Sequence, residues 1–187
     1  MPKVVLRPIR MVDAELCFRW VSDPDVTRYL GLLQPPTTVE GERVWIARAL
    51  TDKEQQRVFV VEDQEGRAIG TGGLRAMDRE TGSAILGVMI GDKSIWNQGY
   101  GTSATKALVS YGFGELGLQE VRLSCHPENY GALRCYEKAG FKVSKRPGDR
   151  SVYGRAEVQM SVRRQDWEQA DLSPSAGPGE MGHEARG

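Results

Sequence analysis

Ser94-Ile95-Trp96-Asn97-Gln98-Gly99-Tyr100-Gly101-Thr102-Ser103-Ala104 is the stretch that decides how this chain is read. Ahead of it stands an alternating apolar run, Ala84-Ile85-Leu86-Gly87-Val88-Met89-Ile90, with the period of a strand. Behind it, residues 105–116 repeat their apolar positions at helical spacing. The two glycines therefore lie between a strand and a helix. Gly99 and Gly101 admit backbone angles closed to other residues and leave the main chain open to a ligand. The free N–H groups of the helix start, at the positive end of its dipole, make a backbone site for an anion such as phosphate. A phosphate loop of the NTPase type would need Gly-Lys-Ser/Thr, and here Gly101 precedes Thr102-Ser103. A dinucleotide fingerprint would place a third glycine where Ala104 stands, a replacement that some variants accept. Taken alone, the loop also reads as a plain tight turn.

A second segment narrows these readings. Residues 121–125, Val-Arg-Leu-Ser-Cys, form a short strand pattern. His126-Pro127-Glu128-Asn129-Tyr130-Gly131-Ala132-Leu133-Arg134-Cys135-Tyr136-Glu137-Lys138-Ala139-Gly140-Phe141 follows. Asn129 is a natural helix N-cap, Leu133 and Tyr136 keep helical spacing, and Gly140 stops the helix before Phe141 opens the next strand. Together the two segments resemble the two signature motifs of the GNAT superfamily of acyl-CoA-dependent N-acyltransferases. The first is similar to that family's pyrophosphate loop, the second to its Asn…Tyr-Glu-Lys-x-Gly-Phe motif. The resemblance covers roughly residues 4–162. One departure stands out. The family pattern has Gln or Arg three residues before the first loop glycine, and this chain has Trp96. Trp96 followed by Gln98-Gly99-Tyr100-Gly101 resembles the RimJ/RimL branch, which acetylates ribosomal-protein N-termini and has relatives acting on small amines.

The length of 187 residues is ample for one core and short for two domains. Hydrophobic residues make up 40% and charged ones 27%, as in an ordinary soluble globule. Lys plus Arg number 25 and Asp plus Glu number 25, and no basic stripe interleaves with aromatics, so nucleic acid is not expected as a partner. No apolar run approaches the ~20 residues of a membrane helix. The start, Met1-Pro2-Lys3-Val4, enters a strand pattern directly, with no visible signal peptide. Cys17, Cys125 and Cys135 have no metal-ligand spacing, so no metal is expected and they read as buried thiols of a reducing cytoplasm.

Along the chain, residues 3–10 read as a strand and 12–22 as a helix that Asp23-Pro24-Asp25 breaks. Residues 32–37 read as a loop, and Thr38 starts a helix carrying Val44, Trp45, Ala47 and Leu50. Residues 57–62 and 68–76 are strands joined by a hairpin turn at 64–67, and 82–90 is the strand before the glycine loop. Residues 141–146 and 156–162 are two further strands, joined by a polar stretch at 147–150. From Asp171 on, Pro, Gly, Ser and Glu dominate, which reads as a disordered tail. A catalytic domain is thus expected over residues 1–170 and a tail over 171–187. The order β-α-α-β-β-β-α-β-α-β-β predicts an α+β fold, a mixed sheet with helices on both faces. The resemblance implies the GNAT fold, in which two central strands splay apart around the cofactor.

The resemblance also implies acetyl-CoA as cofactor and a primary amine, a protein N-terminus or a small molecule, as acceptor. In such chemistry a neutral amine attacks a thioester, an oxyanion forms and a thiolate leaves. Gln98, Gly99, Tyr100, Gly101, Thr102 and Ser103 map onto the pyrophosphate grip. Val88, Met89 and Ile90 map onto the strand that pairs with the pantetheine arm, and a main-chain N–H near Val88 would polarise the thioester carbonyl. Asn129 would cap its helix and touch the cofactor. Tyr136 matches the position whose hydroxyl protonates the leaving thiolate, and a phenol of pKa ~10 suits that task. It is also a natural core tyrosine. Many family members carry a Glu on the strand before the loop, and Ala84-Ile85-Leu86 offers none. His126 and Glu128, just after the strand at 121–125, and Asp92 are the candidates for a base, with water as an equal alternative and a turn as the other role for His126. Arg28 and Tyr29 lie where the family builds its acceptor side, yet Asp13, Glu15, Asp23 and Asp25 are balanced by Arg19 and Arg28, which leaves the acceptor's charge open. A catalytically weak acyl-CoA sensor is the alternative to an enzyme, and a homodimer is left open.

Overall fold

A computed structural model describes residues 1–30, 38–145 and 157–172. The described strands are β1 (Val5–Pro8), β2 (Gln56–Glu62), β3 (Ala68–Asp78), β4 (Ser83–Ile90), β5 (Glu120–Cys125), β6 (Lys142–Lys145) and β7 (Val158–Arg163). They form one seven-stranded sheet in the order β1-β2-β3-β4-β5-β7-β6. The described α-helices are α1 (Ala14–Val21), α2 (Pro24–Thr27), α3 (Val39–Thr51), α4 (Tyr100–Gly114), α5 (Tyr130–Lys138) and α6 (Arg164–Leu172). The sheet is mixed: β4 and β5 pair in parallel and the other neighbours are antiparallel.

Alternation along β2 sorts the helices into two layers. Phe59 joins the core of Leu74, Leu86, Leu108 and Phe113, which α4 completes. Val60, next in line, joins Ile9 after β1, Ala14 and Cys17 of α1 and Ile46 of α3. Successive side chains of a strand point to opposite faces, so the sheet is covered on both sides, as the element order predicts. Val60, Ile46, Leu74 and Leu108 are fully buried. Each such side chain stabilises the fold by roughly 1.5–3 kcal/mol over an exposed one.

Several elements differ in extent from the sequence reading. Pro24 does not only end α1. It is the first residue of α2, with Asp23 as the cap that accepts the Asp25 N–H at 2.9 Å. Helix α4 starts at Tyr100, inside the glycine loop, and not at residue 105. Helix α6 is an addition. Its residues are mostly polar, and Trp167 packs it against the main core. It includes Asp171 and Leu172, which composition assigns to the tail. The loop at 32–37, the polar stretch at 147–150 and residues 173–187 lie outside the described residues.

The topology makes its opening at the centre of the sheet. β4 and β5 pair only at Ser83↔Glu120, Ala84↔Val121 and Ile85↔Arg122. Beyond Ile85 the second half of β4 pairs with no described strand on that side, and Gly87 is exposed in the middle of a seven-stranded sheet. This is the splay that the resemblance implies and that periodicity alone does not show.

Candidate active site

The splayed strands hold a cavity of about 830 Å³, in the range of small-molecule sites. One wall is the free half of β4, with Val88, Met89 and Ile90. Its floor is the start of α4, and a second wall is α5 with Asn129, Cys135 and Tyr136. Asp25 of α2, with Arg28 and Tyr29 after it, also lines the cavity.

The loop before α4 is shaped by two left-handed residues, Asn97 at φ 63° and Gly99 at φ 91°. Gly99 is the N-cap, and the Ser103 N–H closes the first turn on the Gly99 oxygen at 3.0 Å. The N–H groups of Gly99, Tyr100, Gly101 and Thr102 have no hydrogen-bond partner among the described residues. They are the orphan donors that every helix start carries, and here they border the cavity. A Cβ placed on Gly101 would sit 3.5 Å from Cys135 Sγ and 3.8 Å from Ile90 Cγ1, so this helix start lies against both walls.

Helix α5 is fixed at both ends by the residues that the sequence marks. Asn129 Oδ1 accepts the Ala132 N–H at 3.1 Å. At the other end Gly140, at φ 92°, sends its N–H to the Glu137 oxygen, and Phe141 sends its own to the Tyr136 oxygen, each at 3.0 Å. That pair of bonds is a Schellman cap. Tyr136 is only 8% exposed, packs against Phe141 and lines the cavity. Its hydroxyl makes no hydrogen bond to the described residues. Burial, with the Cys125 and Cys135 thiols beside it, pushes its pKa above the ordinary tyrosine value. Such a phenol stays protonated and can donate. Burial likewise pushes the Cys125 thiol up to about 12, so that thiol is inert at neutral pH.

The sequence-derived residues do not all reach the cavity. Val88, Met89, Ile90, Gln98, Gly99, Tyr100, Gly101, Thr102, Asn129 and Tyr136 line it. Ser103 is buried behind the first turn and does not. Neither His126 nor Glu128 lines it. The two belong to the turn before α5, where the Glu128 N–H donates to His126 Nδ1 at 3.2 Å. His126 packs beside the cavity-lining Tyr29, whose ring lies 5.1 Å away centre to centre. Asp92 is already occupied. Its carboxylate accepts the Ser94 N–H at 3.0 Å and the Ser94 hydroxyl at 2.6 Å, and pairs with Arg67 at 3.3 Å. Hydrogen bonds from Ser94 hold that carboxyl below the usual range. Arg134 and Lys138, which also line the cavity, were not legible as site residues, because lysine and arginine at helical spacing read as a solvated face. Among the described residues, no cluster of His, Cys, Asp and Glu is placed to hold a metal. No described helix is long and apolar enough to cross a membrane.

Residues 3–142 match the sequence profile of the acetyltransferase (GNAT) domain. The chain belongs to this family. As a GNAT protein it is an N-acetyltransferase that uses acetyl-CoA. A probable N-acetyltransferase of Bacillus subtilis, YjcK, is 30% identical over 145 residues, which is 74% of this chain and 80% of that protein. The uncharacterised N-acetyltransferase p20 of Bacillus licheniformis is 27% identical over 143 residues, 75% of this chain and 79% of its own. Among solved structures, the Vibrio cholerae spermidine N-acetyltransferase with CoA and spermine superposes with a TM-score of 0.78 at 20% identity, over 89% of this chain and 98% of its own. The aminoglycoside acetyltransferase AAC(6')-Ib with coenzyme A gives 0.79 at 21%, over 90% and 99%. At that identity the likeness is one of fold.

The free donors and the glycine cradle fit the cofactor. Four N–H groups around a gap kept open by Gly99 and Gly101 suit a diphosphate. The free edge of β4 suits an amide-rich arm that pairs as a strand would.

Proposed function

We propose that this GNAT protein transfers the acetyl group of acetyl-CoA to a primary amine by direct attack with both reactants bound, and that it stands in the RimJ/RimL-like branch of the family. The observation that carries the reading is the continuity of the cavity. A single space of about 830 Å³ joins the donor cradle at Gly99–Thr102 to Tyr136 and to the α2 side at Arg28 and Tyr29. Donor and acceptor fit there together, so no covalent relay through a protein side chain is needed. The branch assignment is supported by Trp96 ahead of Gln98-Gly99-Tyr100-Gly101.

Acetyl-CoA, when bound, supplies the activated acetyl group. The N–H groups of Gly99, Tyr100, Gly101 and Thr102 would hold its diphosphate, and the β4 edge at Val88–Ile90 would align its arm. Tyr136 gives its hydroxyl proton to the departing sulfur and regains one from solvent. Its raised pKa keeps that proton in place until a strong base appears. Among the described residues no carboxylate lining the cavity is free to act as base, so water takes the proton from the attacking amine.

The test is an assay of acetyl transfer from acetyl-CoA to a panel of amines that includes peptide N-termini. Tyr136→Phe is expected to lower kcat on the order of 10²–10⁴-fold while CoA affinity and Tm hold. Full turnover in the variant would make Tyr136 a packing residue. In His126→Ala, kcat/KM is expected to keep the wild-type pH profile. A changed profile in the variant would make His126 the base. Tight CoA binding without acetylation of any amine would favour an acyl-CoA sensor.

A further inference from the structure

The three cysteines divide in the structure. Cys17 and Cys125 are buried, and burial pushes both thiols up to about 12, which leaves them inert at neutral pH. Cys135, which the sequence reads as a third buried thiol, is only partly buried and lines the cavity. Its sulfur is fixed against the start of α4. Sγ lies 3.5 Å from where a Cβ on Gly101 would stand and 3.7 Å from Thr105 Oγ1. The Thr105 hydroxyl gives its own proton to the Gly101 oxygen at 2.8 Å, so the thiol is the donor in that contact. Two observations besides the sulfur point to an anionic ligand at this wall. Gly131, Arg134, Cys135 and Lys138 share one face of α5 by their spacing, and all four line the cavity. Arg134 and Lys138 thus flank the thiol with two cations, and neither has an ion pair among the described residues. The next residue, Tyr136, is 8% exposed and brings to the same cavity a hydroxyl without a partner among the described residues. Glu137, the acid of α5, does not line the cavity.

We infer that Cys135 is a modification site: it exchanges with a small anionic disulfide of the glutathione class, and the mixed disulfide fills the cradle that the cofactor needs. The inference rests on the acetyl-CoA reading of the cavity and adds a control on it. In the exchange the Cys135 thiolate attacks one sulfur of the disulfide. A new S–S bond joins Cys135 to that half, and the old S–S bond breaks. The other half leaves as a thiolate and takes a proton from solvent, so no further oxidant enters. Partly exposed, electropositive surroundings are those in which a thiol reacts, and the two cations beside Cys135 attract the carboxylates of the reagent. Because Sγ touches the Gly101 side of the cradle, the attached half covers the free N–H groups of Gly99, Tyr100, Gly101 and Thr102. A free thiol reverses the exchange.

The probe is glutathione disulfide on the native protein, with the modified residue mapped by mass spectrometry of the digested chain. A single adduct is expected, on Cys135, and none in Cys135→Ser. CoA at about 100 times its Kd is expected to slow the reaction roughly a hundredfold, the mass-action factor for a ligand that must leave first. By calorimetry the modified wild type is expected to bind no CoA and to regain its affinity on reduction. Treatment is expected to leave the affinity of Cys135→Ser where it was. Relative to their reactions with free cysteine, glutathione disulfide is expected to outpace cystamine, a cationic disulfide. No adduct on native Cys135, an adduct that leaves CoA affinity intact, or a preference for cystamine overturns the inference and leaves the acetyltransferase reading in place. Failure of the untreated protein to bind CoA sinks that reading instead, and the competition with it.

Discussion

Trp96 donates its indole Nε1–H to the main-chain oxygen of Ile90 across 2.9 Å. Ile90 ends β4, and Trp96 stands three residues before the first loop glycine, so the bond ties the strand that lines the cavity to the loop that would grip phosphate. The Gln or Arg of the family pattern shares with Trp a side-chain N–H donor. The departure at Trp96 therefore keeps the donor while changing the shape around it.

Trp96→Phe removes the donor and retains an aromatic ring. A neutral hydrogen bond contributes a net ~0.5–1.5 kcal/mol, so CoA affinity is expected to fall roughly two- to tenfold by calorimetry. An unchanged Kd in a folded variant would show that the loop keeps its shape without this tie.

Gly101→Val should block the cofactor while the fold survives. The first carbon added at Gly101 makes ordinary contacts, 3.5 Å to Cys135 Sγ and 3.8 Å to Ile90 Cγ1, and a β-branched side chain then projects into the narrow gap between α4, α5 and β4. CoA affinity is expected to drop more than about tenfold, with Gly101→Ala milder, because only the larger side chain covers the free N–H groups. Equal affinities in wild type and Gly101→Val would place the diphosphate elsewhere.

What the sequence shows of this site is what one residue can dictate locally. Gly99 and Gly140 at positive φ, Asn129 at its cap and the alternation of β4 each follow from the chemistry of a single position or a short period. Contacts that depend on distant partners do not show. Asp23 and Asp25 read as part of an acidic group balanced by Arg19 and Arg28, and the structure gives both to Lys93, 68 residues beyond Asp25. Asp13 reads as part of the same acidic cluster, and the structure buries it against Arg7 of β1. Helix α6 escapes because its mostly polar sequence around Trp167 gives no periodicity to see. The splay between β4 and β5 is a matter of where pairing stops, which no local pattern records.

The Arg7 ion pairs join β1 to Asp13, just before α1, and to Glu62 of β2. Arg7 Nη2 and Nη1 reach the two Asp13 oxygens at 2.9 and 3.0 Å, and Nε reaches Glu62 at 2.6 Å. Burial alone would raise the Asp13 carboxyl, but the hydrogen bonds from Arg7 and the Arg10 N–H outweigh it and hold it below its usual value. A depressed folded value means stability that is present above the unfolded pKa, ~3.9, and lost as pH falls below it through the folded one. The advantage of wild type over Asp13→Asn is therefore expected to be constant from neutral pH down to about 5 and to shrink in stronger acid. Arg7→Met leaves a buried carboxylate unpaired. Breaking such a pair costs ~3–5 kcal/mol when it is fully buried, and with Arg7 18% exposed the expected loss lies near the lower end. Urea titrations across pH measure both. A variant gap that widens in acid would contradict the pairing.

Glu42 carries the opposite signature. It lies on α3 and is 2% exposed, and its carboxyl has no hydrogen bond or ion pair among the described residues. Burial raises its carboxyl above the ordinary value. Its charge and that of Asp13, with burial first, push the neighbouring Cys17 thiol up to about 12. For an acid whose folded value is raised, the folded state binds the proton more tightly than the unfolded one. Stability is then fullest below the unfolded pKa, ~4.3, and declines as pH rises through the folded value. Glu42→Gln keeps the shape and removes the charge, so it is expected to stabilise the protein at pH 8 by about 1 kcal/mol, or roughly 2–4 °C in Tm at this length. The gain should vanish as pH approaches 4, where the wild-type carboxyl is protonated in both states. Thermal melts of both proteins across that range decide it, and a Glu42→Gln protein less stable than wild type at pH 8 would mean that the carboxylate is ionised and stabilising where it lies.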